Sequence, residues 1–206
     1  MKKNKYKNFI NFIKKNRNTL ITVFCFVAGI ILFVVFVNAR LNILASDASD
    51  KLTIASNYIA NNNTEQGFAM IDNIIEQYSN TTASYRARFM KASYLISEKK
   101  YDDAEVLLKY IIDNGKPKTV RPLSYPSLIL IYEETEKYDK AIEYSNMFLN
   151  LYPDNYLVPV VMENLARFYM LTNKVEEAKN IYQKIIDTYP NTEYSVRAEQ
   201  NLNSKK

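Results

Sequence analysis

At 206 residues the chain has room for one domain plus appendages. Its 27 basic and 22 acidic residues are unevenly placed: residues 1–37 hold seven basic residues and no acid, leaving 20 basic and 22 acidic in the rest. The excess positive charge therefore belongs to the N-terminal segment, which removes the main support for a nucleic-acid role. Histidine is absent, there are three glycines, and the one cysteine, Cys25, has no partner for an internal disulfide. The commonest general base and metal ligand is thus missing, and Gly-rich phosphate loops find no material.

In chain order, residues 1–18 form a basic segment with Tyr6, Phe9, Ile10 and Ile13 on one helical face. Two readings stay open: a segment lying on an anionic membrane surface, or a tail that only sets topology. Residues 19–37 carry no charge. At ~1.5 Å per residue such a run spans roughly 28 Å, close to the ~30 Å hydrocarbon core, and predicts a transmembrane helix. Seven positive charges before it, against Arg40 and Lys51 after it, predict a cytoplasmic N-terminus and an extracytoplasmic domain. Val37-Asn38-Ala39 offers a signal-type cleavage site, but the apolar run exceeds the usual ~7–15 residues. Cys25 lies mid-run after Phe24, unlike a lipoprotein signal. The junction, 38–50, has neither proline nor glycine, so the membrane helix is expected to run on into the next one.

Residues 51–190 repeat with a period of 37. Stepping back by that interval, Ala178 falls on Ala141, Ala104 and Gly67, and Ile185 on Phe148, Ile111 and Ile74. A preceding set aligns Tyr169 with Tyr132, Leu95 and Tyr58, and Ala166 with Ile129, Ala92 and Ala55. Within Asn173–Thr192, Ala178, Ile181, Tyr182, Ile185, Ile186 and Tyr189 share one helical face, and Pro190 closes it. A fixed period of this length is a solenoid signature, because one helix pair cannot bury its own apolar face. Helices are predicted at 46–61, 64–78, 82–98, 101–114, 121–136, 138–151, 156–172 and 175–189. The breaker-rich link Asn114–Pro122 is expected to be the most mobile joint. Residues 191–206 read as a polar capping helix and tail, N-capped by Asn191 or Thr192. The fold class is all-α: one transmembrane helix, about four helix pairs, and a cap.

Leu165, Ala166, Tyr169, Ala178, Tyr182, Ile185 and Pro190 resemble the tetratricopeptide repeat (TPR) pattern over about Lys51–Pro190. The family's first-helix tryptophan is replaced by Lys51, Arg88, Tyr125 and Met162, Ile129 stands where a small residue is expected, and the period is three longer than the usual ~34. The layout is also similar to bacterial YfgM-type envelope proteins, ancillary to the Sec translocon and its periplasmic chaperones. The resemblance implies a membrane-anchored scaffold with protein partners. The alternatives are an envelope accessory that binds glycan or a small ligand, and the same scaffold with a cytoplasmic domain.

No catalytic constellation is legible. Glu133 with Glu134, Asp102 with Asp103, and Glu176 with Glu177 are helical neighbours that point apart, so none forms an acid/base dyad. No catalytic residue, cofactor, metal or nucleic acid is expected. The resemblance places a partner groove on the first helices, off their packing stripe: Arg86, Phe89, Ser93, Ile96, Pro126, Leu130, Glu133, Glu163 and Arg167. Leu52, Ser56, Phe89 and Ser93 stand where a carboxylate-gripping member of the family presents lysine and asparagine. A helix or extended peptide in an apolar groove fits these residues better. An equal reading makes Phe89 and Leu130 core.

Overall fold

The computed structural model describes residues 15–115 and 120–203. The basic face at Tyr6–Ile13 lies outside them, as does the middle of the expected joint at 114–122. Nine helices account for the described regular structure: α1 (Arg17–Ala60), α2 (Thr64–Gln77), α3 (Thr82–Ser97), α4 (Tyr101–Asn114), α5 (Arg121–Glu134), α6 (Tyr138–Leu151), α7 (Val158–Leu171), α8 (Val175–Thr188) and α9 (Glu193–Asn203). No strand occurs among the described residues.

Two compact units divide at Asp47/Ala48. In the first, the apolar side chains of α1 are exposed all along the run, with Phe24, Phe26 and Leu32 among the most open. This is the one helix among the described residues that is long and apolar enough to cross a membrane. Residues 38–50, free of breakers, are helical throughout, so position 46 is not a helix start.

In the second unit each helix from α2 onward packs on the next, and α3 also touches α5, as α7 touches α9. Small residues set the approach within each pair. Ala104, Ala141 and Ala178 are fully buried. At the first crossing even alanine is crowded: a Cβ on Gly67 would stand 2.5 Å from Ile59 Cγ1 and 3.0 Å from the Ala55 carbonyl oxygen. The large column Ile74, Ile111, Phe148, Ile185 is also fully buried. One apolar cluster runs from α3 to α9, and a second joins α1, α2 and α3. Ile54 and Tyr58 are exposed although Leu128, Leu165 and Tyr132 in the same columns are buried.

The turns inside the pairs share one geometry. Asn62, Lys99, Glu136 and Asn173, 37 residues apart, have φ of 62°, 59°, 55° and 60°. At each, the next residue's amide donates to a carbonyl five residues back: Asn63 to Tyr58, Lys100 to Leu95, Lys137 to Tyr132 and Lys174 to Tyr169, at 2.7–2.9 Å. The left-handed residue itself donates three back, which completes a Schellman cap. That residue pairing fixes how each second helix leaves the first. Between pairs, the Thr81 side chain caps α3 through the Ser84 amide at 3.1 Å. Thr192 caps α9 through Ser195 at 3.4 Å, while Thr192 N donates back to Ser195 Oγ at 3.1 Å.

Candidate functional site

Helices α1, α3, α5, α7 and α9 occupy alternate places in the stack, and contacts between neighbours of this set join residues 34 apart. Ser56 reaches Met90, Glu133 reaches Arg167, and Glu163 reaches Arg197. All nine expected groove residues are at least partly accessible, and Arg86, Ser93, Leu130 and Arg167 are exposed. Leu130 is 41% exposed and is not core. Phe89 and Ile96 are half-buried and lean on the cluster, so they belong to both groove wall and core edge. Pro126 sits half-buried within α5.

Three of the expected residues are already engaged. Arg167 on α7 grips Glu133 on α5 with both terminal nitrogens, one at 2.9 Å, and also donates to Asn164 at 3.2 Å. Glu163 on α7 accepts from Arg197 on α9, Nε at 2.6 Å and Nη2 at 2.9 Å. Both guanidinium groups are held above their ordinary pKa, first by the hydrogen bond each donates to its glutamate and against the opposing effect of burial. Paired, fork-on-fork charges of this kind fix geometry. This half of the face is cross-braced from α5 to α9 and neutral overall at those rungs.

The N-terminal half differs. Ser49, Leu52, Thr53 and Ser56 of α1, Arg86, Phe89 and Met90 of α3, and Val120 and Leu123 at the start of α5 line a depression of about 580 Å³, within the ~300–1,000 Å³ typical of ligand sites. The Thr53 and Ser56 hydroxyls donate to carbonyls of their own helix, at 3.0 and 2.8 Å, so the lining is mainly apolar. Arg86 has no ion-pair or hydrogen-bond partner among the described residues. Ser93 and Leu130 continue the face beyond it. Sequence reasoning named Arg86, Phe89, Leu52 and Ser56 here but missed Ser49, Thr53, Met90, Val120 and Leu123. The 34-residue spacing that relates facing first helices was the available signal.

Of the carboxylate neighbours, Glu133 pairs with Arg167, and Glu134 accepts from the Tyr101 hydroxyl at 3.3 Å. No cluster of three or more potential metal-ligating side chains occurs among the described residues.

A family model described as tetratricopeptide repeat-like domain matches residues 11–203. The chain is 35% identical over 107 residues to the ycf37 protein of Cyanophora paradoxa, covering 52% of this chain and 60% of that one. It is 24% identical over 122 residues to the ancillary SecYEG translocon subunit of Neisseria gonorrhoeae, covering 59% and 56%. The chain thus spans less than two thirds of the length of these relatives. Among solved structures, a Podosopora anserina kinesin light chain with TPR-like repeats superposes with a TM-score of 0.59 at 14% identity, covering 78% of this chain and 89% of that one. MamA of Desulfovibrio magneticus RS-1 gives 0.54 at 15% identity, covering 70% and 78%. These last two likenesses concern the fold.

Proposed function

The chain belongs to the tetratricopeptide repeat-like family, and from that premise we propose that it is a membrane-tethered scaffold in the cell envelope, ancillary to protein translocation or chaperoning. Its role is to hold protein segments along the first-helix face. The observation that carries this reading is the open face from Ser49 to Leu130, where apolar side chains remain accessible beside a braced C-terminal half. Two further features support it: α1, with the composition of a membrane span, and the likeness to the ancillary SecYEG translocon subunit. The domain divisions follow the same reading: a basic tail at 1–18, a span at 19–37, a junction at 38–50, four repeats at 51–190 and a cap at 191–206. The positive charges before the span favour an N-terminus in the cytoplasm and repeats on the outer side.

The test is recovery of the full chain from detergent-solubilised membranes, wild type beside Leu130→Asp, with associated proteins identified by mass spectrometry. Leu130 is exposed, so the variant keeps the fold. Loss of a defined set of translocon or client proteins from the variant is expected. An unchanged set removes the face from the mechanism.

A further inference from the structure

The groove contains an incomplete rung, and this observation deepens the scaffold reading on which it rests. Glu163 and Arg197 form a rung between neighbouring first helices, closed by two hydrogen bonds of 2.6 and 2.9 Å. Three periods of 37 upstream, the same two positions are Leu52 and Arg86. An arginine stands at the second position, as it does not in the intervening Phe89–Leu123 and Pro126–Val160 pairs, and the carboxylate is absent from the first. Leu52 is almost fully buried and contributes to the α1–α3 cluster, so it offers Arg86 nothing polar. Arg86 is exposed, opens onto the depression of about 580 Å³, and has no ion-pair or hydrogen-bond partner among the described residues. The other rung tells the same story by contrast. Glu133–Arg167 becomes Ile96–Leu130 one period upstream, where both sides are apolar and no charge is left over.

We propose that the N-terminal half of the groove binds an acidic, apolar protein segment whose carboxylate completes the Leu52–Arg86 rung. Charge complementarity selects the occupant. A guanidinium in this register already takes a carboxylate at the Glu163 rung. A carboxylate arriving from outside would meet the same fork, with Leu52, Phe89, Met90 and Leu123 beneath to receive apolar side chains. A basic segment would be repelled, and a purely apolar one would leave Arg86 partly desolvated without a counter-charge. The braced half, with its arginines satisfied, offers no such contact. The carboxylate is that of an Asp or Glu side chain, because among the described residues Arg86 is the one cation of the lining and no lysine or asparagine of the lining stands beside it to grip a chain end.

The experiment is selection of a random dodecapeptide library, displayed through its C-terminus, on the full-length chain in detergent micelles. Binders are then remade as synthetic peptides with free and with amidated C-termini, and their affinities measured by fluorescence anisotropy. The expected result is enrichment of Asp or Glu beside apolar residues. Replacing that acid by Asn or Gln, or using Arg86→Ala, should weaken binding about 10- to 100-fold, as for a hydrogen bond to a charged group. Arg86→Glu should reverse the preference toward Lys-bearing peptides, which a merely structural arginine would not do. If affinity gains only from a free C-terminus, the side-chain proposal is overturned. Binders that ignore Arg86 and acidity, yet are lost with Leu130→Asp, overturn the rung while leaving the groove reading intact. Binders indifferent to both Arg86 and Leu130 overturn the two together.

Discussion

Replacing Lys99 or Glu136 by glycine should stabilise the repeat unit. Both residues sit at φ of 59° and 55°, the left-handed region, and both side chains are exposed with no hydrogen-bond or ion-pair partner among the described residues. A side chain with a Cβ costs roughly 1–2 kcal/mol there. Glycine removes that strain and loses about 0.5–1 kcal/mol through the greater freedom of the unfolded chain. The net gain is about 0.5–1 kcal/mol per site. For a unit of this size that raises the thermal midpoint about 1–4 °C. Asn62 and Asn173 provide the internal control, since asparagine tolerates this region and its replacement by glycine should change little. Lys99→Val should destabilise, because a β-branched residue fits the left-handed region worst. The assay is thermal unfolding of the full chain in mild detergent, followed by far-UV circular dichroism. A lower midpoint for both Lys99→Gly and Glu136→Gly would refute the idea that strain sits in these caps.

Phe148→Ala removes a fully buried ring packed against Tyr125 and Tyr152 and should cost about 3–5 kcal/mol. Hydrogen exchange should then rise in α5–α7 while the separate α1–α3 cluster keeps its protection, as expected of a stack of units; uniform loosening would count against that. The Tyr132 hydroxyl is pushed above the usual tyrosine range, first by burial and then by its 3.0 Å hydrogen bond to Glu105. Its folded pKa is raised, so the stability it contributes is full below the ordinary value near ~10 and is lost as pH climbs beyond it. Tyr132→Phe should therefore flatten the alkaline fall in the unfolding midpoint, and an unaltered slope would sink this assignment. The Glu105 carboxyl is pushed up by burial, but the hydrogen bonds from Lys109 and Tyr132 outweigh this and leave it below its ordinary range. Its contribution is present above roughly pH 4.3 and fades as acid is added, so Glu105→Gln should reduce acid sensitivity. Protease added to spheroplasts should digest the repeats, whereas full protection would reverse the proposed topology.

Much of the fold was legible because the small and large columns recur every 37 residues and stay buried wherever a neighbouring pair covers them. Ala178, Ala141 and Ala104 behave alike for that reason. The left-handed caps were not legible: they fall on Asn, Lys, Glu and Asn, without the glycine that usually marks such a turn. The site was legible only in outline. Glu133, Glu163 and Arg167 were expected as groove positions, but the Glu133–Arg167 and Glu163–Arg197 pairs were not foreseen, because facing first helices meet at 34 residues and not at the 37-residue period. Val120 and Leu123 were missed because they come from the start of α5, where helix and link were hard to separate. The exposure of Ile54 and Tyr58, in columns that are buried at Leu128, Leu165 and Tyr132, is not something a column comparison reveals.

The most direct measurement is site-specific photo-crosslinking in intact cells, with the probe at Ser93, at Leu130 and, for comparison, at Val106. Val106 is 68% exposed on α4, away from the first-helix face. Discrete protein adducts at Ser93 and Leu130, and none at Val106, are the predicted result. Adducts confined to Val106, or equal at all three, would contradict a chain built to hold protein segments in this groove.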